Sequence, residues 1–175
     1  MTEAEHTRFL RVYMADQLAL GVLWREIARR CKRSNEGSPV GDAVARVADE
    51  IAEDVVTFEQ IMIRLGIPKA RVKPALAIAG ERLGRLKLNG RLTEYSPLSR
   101  FEELDVLRMG IDGKMVLWAN LRDLAGLAGR LPDVDFDGLI ERARRQRDTI
   151  EPFRQQAGRE AFGATAAVPG VGIRS

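Results

Sequence analysis

Four acidic side chains stand close together in the segment "ADEIAEDVVTFE", and they are the residues of this chain best suited to metal chemistry. They are Asp49, Glu50, Glu53 and Asp54, and they include the spacing Glu50-x-x-Glu53. Carboxylates supply oxygen ligands to iron and manganese and can also transfer protons. The only histidine of the chain is His6, near its start, so the sequence excludes a metal site rich in imidazole.

The helical rotation of about 100° per residue separates these four carboxylates. Asp54 lies at the edge of the apolar stripe centred on Ile51, and Glu50 lies further round. Asp49 and Glu53 lie roughly opposite the stripe. The segment is therefore predicted to be mostly a solvated helix face, and Asp54 is the exception.

Four other polar side chains fall at inward positions of predicted helices: Gln17, Glu103, Lys114 and Gln146. Lys114 is the most informative of them, because burying an unpaired ammonium group is costly. We expect Lys114 to pair with Asp54 or Glu103 inside the protein. The alternative is that its long side chain reaches solvent at the rim of the core.

The spacing of apolar residues predicts four long helices. Their expected ranges are about Ala4 to Cys31, Pro39 to Leu65, Pro97 to Ala128 and Asp135 to Ala161. Apolar residues cover more than one face of the third helix, so this helix is expected to be the most buried. Within it, Gly110 and Gly113 each cost about 1 kcal/mol relative to alanine, which predicts either a close helix contact or a pocket there.

The connection between helices two and three is unusually long, at roughly 30 residues, and can therefore run the length of the bundle and leave those two helices parallel. Within it we predict a short helix from about Val72 to Leu86 and a turn at Asn89 and Gly90. The predicted fold class is all-α: a four-helix bundle with a long crossover that contains a short helix between helices two and three.

Three sequence blocks, "GRLKLNGRLTEYSPLSR", "GIDGKMVLW" and "LIERARRQRDTIEPFRQQAGREAF", together with this helix order, resemble an uncharacterised actinobacterial branch of the ferritin-like helical-bundle superfamily. The resemblance extends from about Thr7 to Phe162. It implies the ferritin-like fold, and the branch supplies no established activity.

Ferritin-like proteins with a di-metal centre use a Glu from each of two helices and Glu-x-x-His from the other two. The chain contains no Glu-x-x-His, so we predict that the di-metal ligands are missing and that no cofactor is bound. On this interpretation a salt bridge of Lys114 occupies the place of the metal. The alternative is an oxidase-like enzyme with a carboxylate-only iron or manganese site made by Glu50, Asp54 and Glu103.

The crossover is strongly basic: its cationic residues are Lys69, Arg71, Lys73, Arg82, Arg85, Lys87 and Arg91, against a single Glu81. Such a patch could contact nucleic-acid phosphates without sequence specificity. No aromatic residue interleaves these charges before Tyr95, however. We therefore favour arginines that pair with acidic helix faces, and nonspecific nucleic-acid binding is the alternative.

Bulk composition places the chain among single-domain proteins, with 175 residues and 45% hydrophobic content. Residues 1–162 are assigned to the helical domain, and residues 163–175 to a flexible C-terminal tail of small residues. The lone Cys31, the polar start "MTEAEHTRFL" and the lack of a long apolar run predict a cytoplasmic protein that does not enter a membrane. The leading prediction is a non-catalytic binding or scaffold module for an unknown partner protein, with a homodimer as one expected assembly.

Overall fold

The computed structural model of the protein describes residues 1–68 and 95–163. In these ranges every regular element is helical: α1 (Glu3–Ser34), α2 (Pro39–Arg64), α3 (Pro97–Ala119), a π-helical turn (Asn120–Leu124), α4 (Leu127–Arg130) and α5 (Phe136–Phe162). The all-α prediction is confirmed. The predicted short helix, the predicted Asn89-Gly90 turn and all of the tail except Gly163 lie outside the described residues.

Side-chain caps fix where the long helices begin. Thr2 and Glu5 form a reciprocal capping box at the start of α1. Ser38 and Ser96 accept hydrogen bonds at the starts of α2 and α3, and each is followed by a proline at the first helical position. These signals stand in the sequence itself, which is why the predicted starts agree with the observed ones.

The end of the third predicted helix was wrong. We expected it to reach about Ala128, but α3 ends at Ala119 and continues as the π-helical turn. The amide of Ala125 donates to the carbonyl of Asn120 at 2.9 Å, and Gly126 then adopts a positive φ of 63°, which ends the helical path.

Two apolar clusters form the core, and each draws residues from all four long helices. One contains Met14 of α1, Phe58 of α2 and Trp118 of α3, together with the first turns of α5. The other contains Cys31 of α1 and Val44 of α2, with partners from the N-terminal half of α3 and the middle of α5. The C-terminal halves of α2 and α3 therefore meet at one end, so these two helices run in the same direction.

The helices pack mainly as two pairs, α1 against α2 and α3 against α5. Ion pairs reinforce the second pair: Arg154 lies 3.0 Å from Asp105, and Arg108 lies 3.1 Å from Glu151. The contacts of α1 with α3 and of α2 with α5 are less extensive. No helix in the described ranges is both long and apolar enough to cross a membrane.

The prediction that α3 is the most buried helix was also wrong. Met109 and Val116 on α3 are 53% and 59% exposed, whereas the apolar stripe of α2 lies almost entirely inside. The apolar residues that cover the second face of α3 therefore do not all enter the core. Some of them face the gap between α1 and α3, where the candidate site lies.

Candidate functional site

A polar network centred on Lys114 lies inside the helical core. The ammonium group of Lys114 donates to a carboxylate oxygen of Asp54 and to the amide oxygen of Gln146. The Gln146 amide nitrogen donates to Glu50 at 2.9 Å and to Asp54 at 3.3 Å. Three of the inward polar residues named from the sequence, Asp54, Lys114 and Gln146, thus meet at one place.

Arg142 holds the other side of Asp54. Its guanidinium group donates to the second carboxylate oxygen of Asp54 and, at 3.1 Å, to the exposed Glu53. Both oxygens of Asp54 are therefore occupied by donors. Asp54 is 2% exposed, so these contacts provide the charge compensation that a buried carboxylate requires.

The environment of Lys114 acts on its pKa in two directions. Burial lowers the pKa of Lys114 below its usual range, and the contact with Asp54 opposes part of that shift. The side chain is only 13% exposed, so Lys114 does not reach out to solvent at the rim of the core. Removing Asp54 would leave Lys114 as an unpaired buried charge, which typically costs about 3–5 kcal/mol.

Glu103 belongs to a different cluster, at the end of α1. Its carboxylate accepts from Arg30 at 2.7 Å and from the hydroxyl of Tyr95 at 3.1 Å. Asn35 donates to the same hydroxyl at 2.7 Å. Of the two partners predicted as alternatives for Lys114, Asp54 is therefore the one observed, and Glu103 pairs with Arg30 instead.

Buried Cys31 shares the cluster with Tyr95 and Glu103. Burial, with the nearby carboxylate of Glu103, raises the pKa of the Cys31 thiol to about 12 and raises the pKa of Tyr95 above its usual range. Neither group is therefore prepared to ionise as a nucleophile or base near neutral pH. The cluster joins the C-terminus of α1 to the start of α3.

The carboxylates of the metal alternative are divided between the two clusters. Glu50 and Asp54 contact Gln146, whereas Glu103 contacts Arg30. Within residues 1–68 and 95–163, no three His, Cys, Asp or Glu side chains converge as a set of metal ligands. The seven cationic residues of the predicted basic patch, Lys69, Arg71, Lys73, Arg82, Arg85, Lys87 and Arg91, lie outside the described residues.

A pocket of about 470 Å³ lies between α1 and α3, with α2 forming its floor. Its walls are mostly apolar and aromatic, and Asp54 and Lys114 of the polar network contribute to its lining. Gln17, the remaining inward polar residue named from the sequence, is half-buried in the same wall. The volume of the pocket falls within the range of small-molecule sites, about 300–1,000 Å³.

Two glycines of α3 shape this pocket in different ways. A Cβ atom on Gly110 would lie 2.5 Å from the ring of Trp24, so this glycine permits the close approach of α1. A Cβ atom on Gly113 would meet no atom within 4 Å, because this glycine faces open space. Gly110 therefore lies at a close helix contact and Gly113 lies at a pocket, so each of the two predicted explanations applies to one of the glycines.

Both tryptophans of the chain, Trp24 and Trp118, line the pocket. Trp118 is 1% exposed, and its ring packs against Phe58 and Phe136 with centroid distances of 5.8 and 6.4 Å. The sequence signal that pointed to this site was the pair of glycines within a helix rather than the aromatic residues.

Comparison of the chain with protein-family models, with curated protein sequences and with solved structures yields no match in any of the three. The function is therefore inferred from the geometry of the described residues.

Proposed function

We propose that the protein is a non-catalytic, ferritin-like four-helix bundle that acts as a binding module, and that its ligand is a small, mostly apolar molecule. The observation that carries this proposal is the pocket of about 470 Å³ between α1 and α3. A mid-helix glycine costs about 1 kcal/mol relative to alanine, yet Gly113 faces open space and fills no tight contact. An open pocket beside Gly113 explains the glycine, because a larger side chain at this position would take up the space.

The ferritin-like part of the proposal is supported by the direction of the helices. Helices α2 and α3 run parallel, so Arg64 at the end of α2 and Pro97 at the start of α3 lie at opposite ends of the bundle, with 32 residues of sequence between them. Long crossovers of this kind occur in ferritin-like bundles. On this proposal the network of Lys114, Asp54 and Gln146 stands where related bundles hold their metals.

The non-catalytic part of the proposal is supported by the state of the polar groups. Both oxygens of Asp54 already accept hydrogen bonds, from Lys114, Arg142 and Gln146, so neither is left without a donor. The oxidase-like alternative gains no support, because its carboxylates are divided between two clusters. The nucleic-acid alternative depends on residues outside the described ranges.

The proposal can be tested with indane, a bicyclic hydrocarbon, as the probe. Its binding would be followed by saturation-transfer NMR on the wild type, on Gly113→Phe and on Gly129→Phe. Both glycines have open space around the position of a Cβ atom, but only Gly113 lines the pocket. Gly129→Phe is therefore the matched control for an added aromatic ring.

We expect the wild type and Gly129→Phe to bind indane equally, and Gly113→Phe to bind it at least about tenfold more weakly, because the new ring occupies the pocket. Circular dichroism would verify that all three proteins remain folded. Absence of indane binding by the folded wild type would refute the proposal. Undiminished binding by folded Gly113→Phe would refute the assignment of the site.

A further inference from the structure

The proposed binding function leaves open what kind of molecule the pocket accepts. We propose, on the basis of that function, that the ligand is uncharged and carries a carbonyl or hydroxyl oxygen, which accepts hydrogen bonds from the indole of Trp118 and the ammonium of Lys114. Both side chains line the pocket, and both are largely enclosed. The inference follows from which buried polar atoms there still lack a partner.

Trp118 has a buried indole N–H that finds no acceptor within the described part of the chain. The three other buried side-chain nitrogens in this situation belong to Arg25, Arg108 and Arg142, each of which forms an ion pair. A buried donor without a partner costs about 1–3 kcal/mol, and buried tryptophan N–H groups usually have one. A ligand oxygen in the pocket would remove that cost.

Lys114 supplies a second donor. An ammonium group has three N–H bonds, and two of them are directed to Asp54 and Gln146. The third has no acceptor among the described residues. Each oxygen of Asp54 meanwhile already accepts at least one hydrogen bond. The indole of Trp118 and the ammonium of Lys114 thus each have an N–H without an acceptor, and we infer that the ligand brings the acceptor for these two donors.

The charge balance of the site argues that the ligand is uncharged. Asp54 and Lys114 are the two ionisable groups of opposite sign in the lining, and they neutralise each other. A carboxylate ligand would add a negative charge with no unpaired cation to receive it, and burying such a charge is unfavourable. A ketone, ester or alcohol oxygen can accept the same hydrogen bonds without that cost.

The size of the pocket limits the apolar part of the ligand. An engineered cavity of about 150 Å³ in another protein holds benzene. The volume here, about 470 Å³, accommodates a fused ring system or a short branched chain with one oxygen substituent. The apolar frame would lie against the tryptophans and the aliphatic residues of α1 and α3, and the oxygen would face Trp118 and Lys114.

The test compares three probes with one frame: indane, 1-indanone and indane-1-carboxylate at neutral pH. Dissociation constants would be measured by NMR titration of the full chain, and the two indole N–H signals would be followed in ¹H–¹⁵N spectra. The Trp24→Phe variant assigns which signal belongs to Trp118, because the chain has two tryptophans.

We expect 1-indanone to bind at least as tightly as indane, and at least about tenfold more tightly than indane-1-carboxylate. We also expect 1-indanone to shift the Trp118 N–H signal downfield, whereas indane should not shift it. In a pocket without a donor, the carbonyl would weaken binding, so weaker binding of 1-indanone than of indane overturns the inference. Tighter binding of the carboxylate, or an equal N–H shift with both neutral probes, also overturns it. If none of the three binds, the proposed binding function fails as well.

Discussion

Two alanine substitutions on one helix test how the structure accounts for the pocket. Gly110→Ala and Gly113→Ala each replace a glycine inside α3, so each gains about 1 kcal/mol of helix propensity. That common gain cancels when the variants are compared with each other. The difference between them therefore reports only what the new methyl group meets.

The expected difference follows from the distances. At Gly113 the methyl group meets nothing within 4 Å, so this variant is expected to be about 1 kcal/mol more stable than the wild type. At Gly110 it would lie 2.5 Å from Trp24 Cδ2 and 2.8 Å from Cε3. Overpacking of this kind costs about 1–3 kcal/mol, so Gly110→Ala is expected to be about 1 kcal/mol less stable than the wild type.

Urea unfolding followed by circular dichroism would measure both free energies of unfolding. The m-value should be the same in the wild type and in both variants, because the surface exposed on unfolding does not change. In thermal unfolding, a gain of about 1 kcal/mol corresponds to a rise of about 2–4 °C in a chain of this size. Two variants of equal stability, within about 0.5 kcal/mol, would show that Trp24 does not pack against Gly110 as described.

Three further outcomes test the buried polar clusters. Because burial raises the pKa of the Cys31 thiol from about 9 to about 12, the unfolded chain releases this proton first, and stability falls as pH rises above 9. Urea unfolding at pH 8 and pH 10 should show that Cys31→Ala loses about 1 kcal/mol less than the wild type over that interval, whereas parallel losses would contradict the assignment. Asp54→Leu alone should lower the free energy of unfolding by about 3–5 kcal/mol, because it leaves Lys114 unpaired. Adding Lys114→Met should recover most of this loss in the same assay. A double variant no more stable than the single one would count against the Lys114–Asp54 pair. Tyr95→Phe should lower the free energy of unfolding by about 1 kcal/mol, because the hydroxyl group joins Glu103 to the end of α1. An unchanged midpoint of urea unfolding would show that the hydrogen bonds of this hydroxyl contribute nothing to stability.

Much of the fold is predictable from local signals in the sequence. The starts of α2 and α3 follow from Ser38 and Ser96 as caps, each followed by a proline. The end of α3 is not predictable in this way, because the apolar spacing continues through Leu124 and Leu127. The π-helical turn alters the rotation between them, so Leu124 is 84% exposed while Leu127 is fully buried.

The candidate site was predictable only in part, for a geometric reason. Helix rotation placed Lys114 and Asp54 on inward faces, and the two side chains do meet. Glu103 is also inward, but it lies 11 residues from Lys114 on the same helix, or about 16 Å along the axis, so the two cannot share a partner. The pocket depends on how closely α1 approaches α3, which is a tertiary property, and the two glycines of α3 indicated it only as one of two alternatives.

Contacts within the two helix pairs and contacts between the pairs differ in how far apart their residues lie in the sequence. The α1–α2 pair is joined by residues 35–38, and the α3–α5 pair by residues 120–135, which include the π-helical turn and α4. The contacts of α1 with α3 and of α2 with α5 instead join segments that are further apart in the sequence. Each hairpin can thus form early as a local cooperative unit, and the less extensive contacts between hairpins complete the structure. The pocket between α1 and α3 lies at the boundary between these units. A ligand held there would bind only when both hairpins are docked, so it would stabilise the whole molecule against separation into two halves.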